Sequence, residues 1–333
     1  MHGQRGHDRR RRLPAPARRP PPGAHRRRGQ PPAPGRGPAR GGAAVIHPRT
    51  LLGAYGLRAG KKRGQNFLTQ PGTAQAIVDS AGVGPGDTVV EIGAGLGALT
   101  LLLAARARRV LAVEVDRGLH QALLQVLAEG QGERVRAILA DALHLDWPAL
   151  AAEAGGPLVV VGNLPYAISS PLLFCLVQNR AQIKGATLML QRELAQRLGA
   201  GPGGKDYGRL TVLMQTWFTV RPGLEVGPEQ FFPRPAVSSR VVHLTPRPRP
   251  LVEFAGPAAE AWFSRVVKAA FGQRRKTLAN SLASGLGRER PEVAAALESV
   301  GIDPMRRAET LSIAEFAVAA AALGPGGPAS GSA

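Results

Sequence analysis

The feature that most constrains the fold is a glycine-rich segment between two apolar runs. Residues Thr88–Ile92 are rich in β-branched side chains, residues 93–97 have the spacing Gly-x-Gly-x-Gly, and the apolar run 98–105 is typical of a helix. A strand, a glycine turn and a helix in this order form the context in which a glycine motif binds a nucleotide cofactor. The sequence therefore predicts an α/β fold whose cofactor site lies at the carboxyl ends of parallel strands.

Three later apolar runs of strand length each lead to a polar side chain: 110–116, 135–140 and 158–161. Glu114 lies about 20 residues after Gly93, where a carboxylate that binds ribose hydroxyls is expected. Asp141 can accept the amino group of the cofactor's adenine, and Asn163 follows the last run. Because parallel strands end at one edge, these four residues are predicted to share a crevice. Asp116 instead suits the cap of the next helix.

The glycine spacing also bears on which cofactor binds. A dinucleotide site has the spacing Gly-x-Gly-x-x-Gly and holds a pyrophosphate at the helix N-terminus. Here Glu91 lies two residues before Gly93. A carboxylate there repels a pyrophosphate but tolerates, or helps to orient, the cationic sulfonium of S-adenosylmethionine. The residues favour S-adenosylmethionine over NAD, although a glycine motif alone discriminates poorly.

Residues 163–166, Asn-Leu-Pro-Tyr, fit the methylation of the exocyclic amine of a planar base. The lone pair of adenine N6 is delocalised into the ring, which makes that nitrogen a poor nucleophile. The side-chain oxygen of Asn163 and a nearby backbone carbonyl can each accept one N6–H and free the lone pair, while Tyr166 can stack on the extruded base. Pro165 stiffens the turn. Alone, Asn-X-Pro is ordinary turn chemistry, so its value depends on the cofactor motif before it.

Seven segments, in this order along the chain, are similar to the motifs of the ribosomal RNA adenine N6,N6-dimethyltransferases: 64–68 (GQNFL), 91–100 (EIGAGLGALT), 163–171 (NLPYAISSP), 191–198 (QRELAQRL), 205–210 (KDYGRL), 231–239 (FFPRPAVSS) and 271–278 (FGQRRKTL). The resemblance extends from about Gly64 to the region of Leu311. It implies a Rossmann-like S-adenosylmethionine-dependent methyltransferase sheet of seven strands, the last antiparallel, with a small C-terminal all-α domain. It also implies dimethylation of two adjacent adenosines near the 3′ end of 16S rRNA, and a role in small-subunit biogenesis.

The resemblance assigns roles to individual residues. It implies cofactor contacts at Asn66, Leu68, Gly93, Glu114, Asp141 and Asn163, and a catalytic motif of Asn163, Leu164, Pro165 and Tyr166. Phe231 occupies the position whose aromatic ring is expected to face the target base opposite Tyr166, and a place in the core is its alternative. Two departures are an arginine, Arg234, where a third proline is common, and a basic N-terminal arm that the family normally lacks.

The charge of the chain indicates a polyanionic partner. Lys and Arg number 43 against 23 Asp and Glu, which gives a net charge of +20, and such an excess is typical of nucleic-acid binding. We expect phosphate contacts from basic side chains of the C-terminal helices and the last strands: Arg221, Arg234, Arg240, Arg265, Lys268, Arg274, Arg275 and Lys276. An ordinary solvated helix face is the alternative for Arg274, Arg275 and Lys276. The expected partner is 16S rRNA in the small-subunit precursor.

Composition divides the chain into four parts. Residues 1–45 hold twelve arginines and one acid and are rich in proline and glycine, so we expect a disordered arm. Residues 46–246 form the predicted methyltransferase domain, 247–323 the predicted helical RNA-binding domain, and 324–333 a disordered tail. The arm is either an RNA-binding extension or lies before a later start, for instance at Val45. Its proline content argues against a mitochondrial presequence.

Other functional classes find little support in the sequence. The single cysteine, Cys175, excludes an intrachain disulfide framework, the histidines show no metal-site spacing, and no apolar run has the roughly 18 residues of a membrane span. We therefore expect a cytoplasmic, monomeric enzyme without a metal. Two rivals remain open, a related 23S rRNA adenine N6-methyltransferase of the macrolide-resistance type and a non-catalytic RNA-binding assembly factor. Leu164 and the basic helical domain favour the small-subunit enzyme, and no motif residue is lost.

Overall fold

The computed structural model describes residues 47–60, 64–128 and 132–325, which all lie within one compact unit. Its strands are β1 (Phe67–Leu68), β2 (Thr88–Ile92), β3 (Arg109–Glu114), β4 (Val135–Leu139), β5 (Leu158–Asn163), β6 (Ile183–Gln191), β7 (Phe218–Val226), β8 (Phe231–Phe232) and β9 (Ser239–Pro246). Its helices are α1 (Pro48–Ala54), α2 (Pro71–Ser80), α3 (Thr100–Ala104), α4 (Arg117–Ala128), α5 (Trp147–Ala154), α6 (Tyr166–Gln178), α7 (Arg192–Leu198), α8 (Arg209–Trp217), α9 (Pro257–Ala270), α10 (Leu278–Leu286), α11 (Arg290–Glu298) and α12 (Ile313–Leu323). The predicted arm 1–45 lies outside the described residues, as do residues 326–333 of the predicted tail.

A seven-stranded sheet organises the N-terminal part in the order β4-β3-β2-β5-β6-β9-β7. The strands β4, β3, β2, β5 and β6 are all parallel to one another. Strand β9 is antiparallel to both β6 and β7. The last strand of the chain therefore runs against the others, as the family resemblance implied. The predicted fold class, a Rossmann-like methyltransferase sheet followed by helices, is confirmed.

Burial explains why the central strands read as continuous apolar runs. All five residues of β2 are buried, because helices cover both faces of a parallel sheet. Val90 and Ile92 join one core cluster, with Leu111 and Leu172, whereas Val89 belongs to the cluster on the opposite face. Alternate side chains of one strand thus stabilise two separate cores.

Strand and helix ends differ from the sequence predictions where pairing with distant strands decides them. A strand was expected near 217–221, but α8 continues to Trp217 and β7 then extends to Val226, because Phe218 pairs with Pro246 at the far end of β9. The helix expected at 98–105 is confined to α3, and β5 continues two residues beyond 161 to include Asn163. These differences do not change the order of elements.

The four C-terminal helices form a core of their own around Phe263, Leu282 and Phe316. Tyr207 and Leu213 of the preceding part also pack into this core, and Arg180 joins the two parts through an ion pair with Glu260 at 2.5 Å. The end of β9 coincides with the predicted boundary near 246, and the division into two domains stays a prediction.

Candidate active site

A cavity of about 1090 Å³ opens at the carboxyl ends of β2, β3 and β5. Every residue predicted to bind the cofactor or to take part in catalysis lines it: Asn66, Leu68, Gly93, Glu114, Asp141, Asn163, Leu164, Pro165, Tyr166 and Phe231. The structure therefore brings together residues that are up to 165 positions apart in the sequence, whose individual roles stay predictions.

The glycine turn after β2 forms the floor of this cavity. The backbone N–H groups of Gly93 and Ala94 donate to the carbonyl of Val113, at 2.9 and 3.1 Å, which fixes the turn against β3. Gly95 has a φ of +56°, and a Cβ there would lie 3.3 Å from the ring of Phe67. A side chain at Gly95 would thus both strain the backbone and narrow the cavity.

Glu114, the last residue of β3, is held by two backbone donors. Its Oε2 accepts a hydrogen bond from Gly95 N at 2.9 Å and its Oε1 accepts one from Asp116 N at 2.8 Å. The side chain is only 6% exposed, and burial raises the pKa of its carboxyl above the usual value. Asp116 accepts from Gly118 N and Leu119 N and caps α4, as predicted.

Asp141 is positioned by the turn that follows β4. Its Oδ1 accepts a hydrogen bond from Leu143 N at 2.9 Å, and its Oδ2 lies 3.4 Å from Nδ1 of the exposed His144. The carboxylate lines the cavity and is half-buried. Its acceptor oxygens therefore lie after the end of β4, the strand that is next to β3 in the sheet.

Asn163 ends β5, and its amide orientation is fixed by a distant partner. Its Nδ2 donates to the backbone carbonyl of Asn66 at 2.9 Å, while Asn66 Nδ2 donates to the carbonyl of Gly64 at 3.0 Å. Because the amide nitrogen is engaged, Oδ1 is the atom left to accept a hydrogen bond from a ligand. Tyr166 begins α6 three residues after the end of β5, and its hydroxyl lies 3.4 Å from Ser239 Oγ.

A two-stranded antiparallel pair, β1 with β8, closes one side of the cavity. Phe67 pairs with Phe232 and Leu68 with Phe231, and Thr69 N donates to the carbonyl of Gln230 at 2.8 Å. Phe231 lines the cavity although it is only 5% exposed. The sequence analysis missed this pairing because no local signal links two short segments so far apart. The role of Phe231 toward a target base stays a prediction.

Glu91 lines the cavity but is not among the residues predicted to contact the cofactor. It lies on β2, is 1% exposed, and its Oε2 has no hydrogen-bond partner among the described residues. Burial, with a further contribution from Glu114, raises the pKa of its carboxyl to about 8. Only its position two residues before Gly93 could have indicated a role from the sequence.

The residues predicted to bind RNA lie outside the cavity, and all but Arg240 are exposed. Arg265 and Lys268 project from one side of α9. Residues 274–276 lie in the connection between α9 and α10 and not on a helix, so the solvated helix face considered for them is excluded. Arg221 is on β7 and Arg234 follows β8. Arg240, half-buried on β9, forms an ion pair with Glu225.

A second concavity of about 750 Å³, here called the basic cleft, lies beside α7. Four cationic side chains line it, together with Glu193, Asp206 and the segment 236–238: Arg192, Arg197, Lys205 and Arg274. Arg197 pairs with Glu193 at 2.9 Å, and Arg274 donates to the carbonyl of Lys205 at 3.0 Å. In the described part of the chain, the side chains of Arg192 and Lys205 have no ion pair or hydrogen bond. The sequence analysis did not single out these two residues.

Two features are absent from residues 47–60, 64–128 and 132–325. These residues contain no helix that is both long and apolar enough to cross a membrane. Nor do they contain a group of three or more histidine, cysteine or acidic side chains arranged to hold a metal ion.

The sequence and the fold were compared with known proteins. The family model described as ribosomal RNA adenine dimethylase matches residues 56–323. The ribosomal RNA small subunit methyltransferase A of Desulforapulum autotrophicum is 46% identical over 278 residues, which cover 82% of this chain and 94% of that protein. A dimethyladenosine transferase from Plasmodium falciparum has a TM-score of 0.62 and 25% identity, over 76% of this chain and 95% of its own.

The structure of the 23S rRNA methyltransferase ErmE gives a TM-score of 0.56 and 28% identity, over 77% of this chain and 99% of its own. The family model covers both the glycine turn and the Asn-Leu-Pro-Tyr segment, which the fold places at one sheet edge. The chain therefore belongs to the ribosomal RNA adenine dimethylase family.

Proposed function

We propose that this protein dimethylates N6 of two adjacent adenosines near the 3′ end of 16S rRNA, with S-adenosylmethionine as methyl donor. The orientation of Asn163 carries this proposal. Its amide nitrogen is engaged by the carbonyl of Asn66, so Oδ1 is left as an acceptor beside a cavity large enough for a nucleoside cofactor. The relatives named as small-subunit methyltransferases support the choice of RNA.

The donor side of the cavity fits a nucleoside that carries a positive group. Asp141 accepts the adenine amino group, Glu114 the ribose hydroxyls, and Leu68 packs against the ligand. The buried Oε2 of Glu91, which has no hydrogen-bond partner in the described part of the chain, suits a cation, and the close approach of Gly95 to Phe67 leaves no room for a side chain in the floor. When bound, S-adenosylmethionine supplies a methyl group on a sulfonium.

On the target side, the chain holds the amine in a reactive geometry. Asn163 Oδ1 accepts one N6–H and the backbone carbonyl of Leu164 accepts the other, because the Pro165 carbonyl is already engaged by Ile168 N and Ser169 Oγ. Two such acceptors draw the nitrogen toward tetrahedral geometry and free its lone pair. Tyr166 stacks on the base. Positioning and these hydrogen bonds supply the catalysis.

We assign no general base to the reaction. The N6 proton becomes acidic only after the methyl group has been transferred, so the proton can leave to solvent at that stage. In the second round, one methyl group replaces one N6–H, and the amine therefore makes only one of the two acceptor contacts. The second transfer depends correspondingly more on positioning by Asn163 and Tyr166.

The basic cleft offers a path for the RNA strand beside the target site. The segment 236–238, in the connection between β8 and β9, lines the cleft, and Phe231 of β8 lines the cavity. Arg192 and Lys205 contact phosphates there, which position the RNA without reading its sequence. The exposed cations of α9 and of the turn at 274–276 extend this surface. We infer a cytoplasmic enzyme that acts as a monomer on the small-subunit precursor.

Mass spectrometry of ribosomal RNA tests this function. Small-subunit RNA from cells that lack the protein should contain two unmodified adenosines that become dimethyladenosine when the wild-type chain is restored. Restoration with Asn163→Ala should leave them unmodified. Dimethyladenosine in 23S rRNA instead would establish the large-subunit alternative. Rescue of assembly without any methylation would indicate a binding factor.

A further inference from the structure

The side chain of Tyr166 is restrained at its outer end. Its hydroxyl lies 3.4 Å from Ser239 Oγ, and either oxygen can donate the hydrogen bond. In the described part of the chain neither hydroxyl has another hydrogen-bond partner. A tyrosine ring turns about two side-chain torsions, and a contact at its outermost atom restrains both. The ring of Tyr166 is therefore held in one orientation beside the cavity, which it lines.

Ser239 lies on a rigid part of the backbone. It begins β9, is 2% exposed, and pairs with Gln191 of β6 on one side and with Val226 of β7 on the other. The carbonyl of the preceding residue, Ser238, accepts a hydrogen bond from Arg192 N at 3.0 Å. The two neighbouring strands and the start of α7 thus fix the position of the Ser239 hydroxyl.

One segment, 231–239, contacts or contains both aromatic rings that are predicted to face the target base. Phe231, at its start, is buried and belongs to the same core cluster as Val241. Ser239, at its end, carries the hydroxyl that restrains Tyr166. The core fixes the ring of Phe231, whereas Tyr166 is only half-buried. The hydrogen bond between Tyr166 and Ser239 therefore sets the placement of the second ring relative to the first.

We propose that Ser239 is a positioning residue for the target adenosine, because its hydroxyl holds the ring of Tyr166 in the orientation that stacks on the base. The inference rests on the proposed function, in which the amine loses one N6–H contact once the first methyl group has been added. The first transfer has two acceptors on the amine as well as the stacked ring, whereas the second has one acceptor and the same ring. Ser239 therefore contributes more to the second transfer than to the first.

Time courses of the two methylation steps test this role. The full chain, in excess over undermethylated small subunits, is mixed with saturating S-adenosylmethionine, and mass spectrometry follows adenosine, monomethyladenosine and dimethyladenosine. For Ser239→Ala we expect the rate constant of the first transfer to fall about threefold and that of the second about tenfold, so that monomethyladenosine accumulates. Because the enzyme is in excess, a partly unfolded preparation does not change the ratio of the two rate constants. Donor affinity, measured by calorimetry, should not change.

A second variant removes the same hydrogen bond from the other side. Tyr166→Phe keeps the ring, so it should shift the ratio of the two rate constants by the same factor as Ser239→Ala. The double variant should be no slower than the slower single variant, since both changes remove one interaction. Thr216→Val is the matched control, because it removes a buried hydroxyl that donates to the Val212 carbonyl at 2.7 Å within α8, and it should keep both rate constants of the wild type.

Several results would overturn the inference. Wild-type rate constants in Ser239→Ala would do so, as would an equal fall in both constants. Losses that add in the double variant would also contradict it, since they would show that the two hydroxyls act independently. If Ser239→Ala does not fold, Tyr166→Phe decides the matter alone, because it must still accumulate monomethyladenosine. Absence of any methylated adenosine with the wild type would instead overturn the proposed function.

Discussion

The cavity and the basic cleft are lined by different kinds of residue. The cavity is enclosed by apolar strands and contains two buried glutamates whose pKa values are raised by burial. The basic cleft is lined by four cations and two acids, and two of the cations have no partner in the described residues. A buried acid site selects a small cationic ligand through desolvation and a few hydrogen bonds. Exposed cations attract a polyanion through charges that salt screens.

The largest effect is expected from Asn163 in the cavity. Asn163→Ala removes the proposed acceptor of N6–H and should lower the rate of methyl transfer by about 1000-fold. Under the proposed function the donor also contacts Glu114 and Asp141, so its affinity should change far less. A tritium-methyl assay on undermethylated small subunits and donor calorimetry on the same preparation measure both. If Asn163→Ala lowered donor affinity as much as the rate of methyl transfer, Asn163 could not be assigned to the target side of the cavity alone.

The buried acids should also make the stability of the ligand-free protein depend on pH. The carboxyl of Glu91 ionises near its usual value of 4.5 in the unfolded chain, whereas burial raises its pKa to about 8 in the folded one, so unfolding releases a proton between these values. The free energy of unfolding therefore falls by on the order of 3–5 kcal/mol for this group as pH rises through this window. Above the window it no longer changes with the ionisation of Glu91. Urea unfolding of the wild type and Glu91→Gln at pH 5 and pH 9 tests this. An equal change of unfolding free energy with pH in the wild type and in Glu91→Gln would contradict this prediction.

Glu114→Gln tests the donor side without removing volume. The variant keeps the shape of the side chain but replaces a charged acceptor and can accept only one of the bonds from Gly95 N and Asp116 N, and donor affinity should fall roughly 10- to 100-fold. Affinity for RNA should stay unchanged, since Glu114 lies inside the cavity. Glu153→Gln, at an exposed carboxylate that pairs with Arg109 at 2.8 Å, is the matched control. An equal loss in the control would point to a general effect of charge.

The smallest effect belongs to the basic cleft. The double change Arg192→Gln and Lys205→Gln should weaken RNA binding about five- to tenfold at moderate salt, and should reduce the slope of log affinity against log salt by about 1.5 to 2. Donor affinity should not move. The pair Arg134→Gln and Arg136→Gln lies at β4, the opposite edge of the sheet from β7, and should leave RNA binding almost intact. Equal losses for the two pairs would show that only net charge matters.

Local signals were enough to predict the parts of the site that lie at single strand ends. The run before Gly93 and the segment beginning at Asn163 each combine a buried strand with a turn whose residues are fixed by backbone geometry. Strand ends of a parallel sheet meet by topology, so the sequence alone places Glu114 and Asp141 in the same crevice. Each of these predictions depends on neighbours within a few residues.

Long-range contacts decide the rest, which is why the sequence did not predict it. The pairing of Phe67 with Phe232 and the missing partner of Glu91 depend on which distant groups come close. That the side chains of Arg192 and Lys205 have no partner among the residues the structure describes depends on the positions of acids elsewhere in the chain. The same holds for β7, whose length is set by β9.

The separate β1–β8 pair bears on how donor molecules could be exchanged. In the described residues these two strands pair with each other and lie outside the seven-stranded sheet, so few backbone hydrogen bonds tie this wall of the cavity to the large sheet. Under the proposed function each adenosine takes two methyl groups from two donor molecules, and spent donor must leave after each transfer. The wall that the fewest backbone hydrogen bonds hold is the one that such an exchange would disturb least.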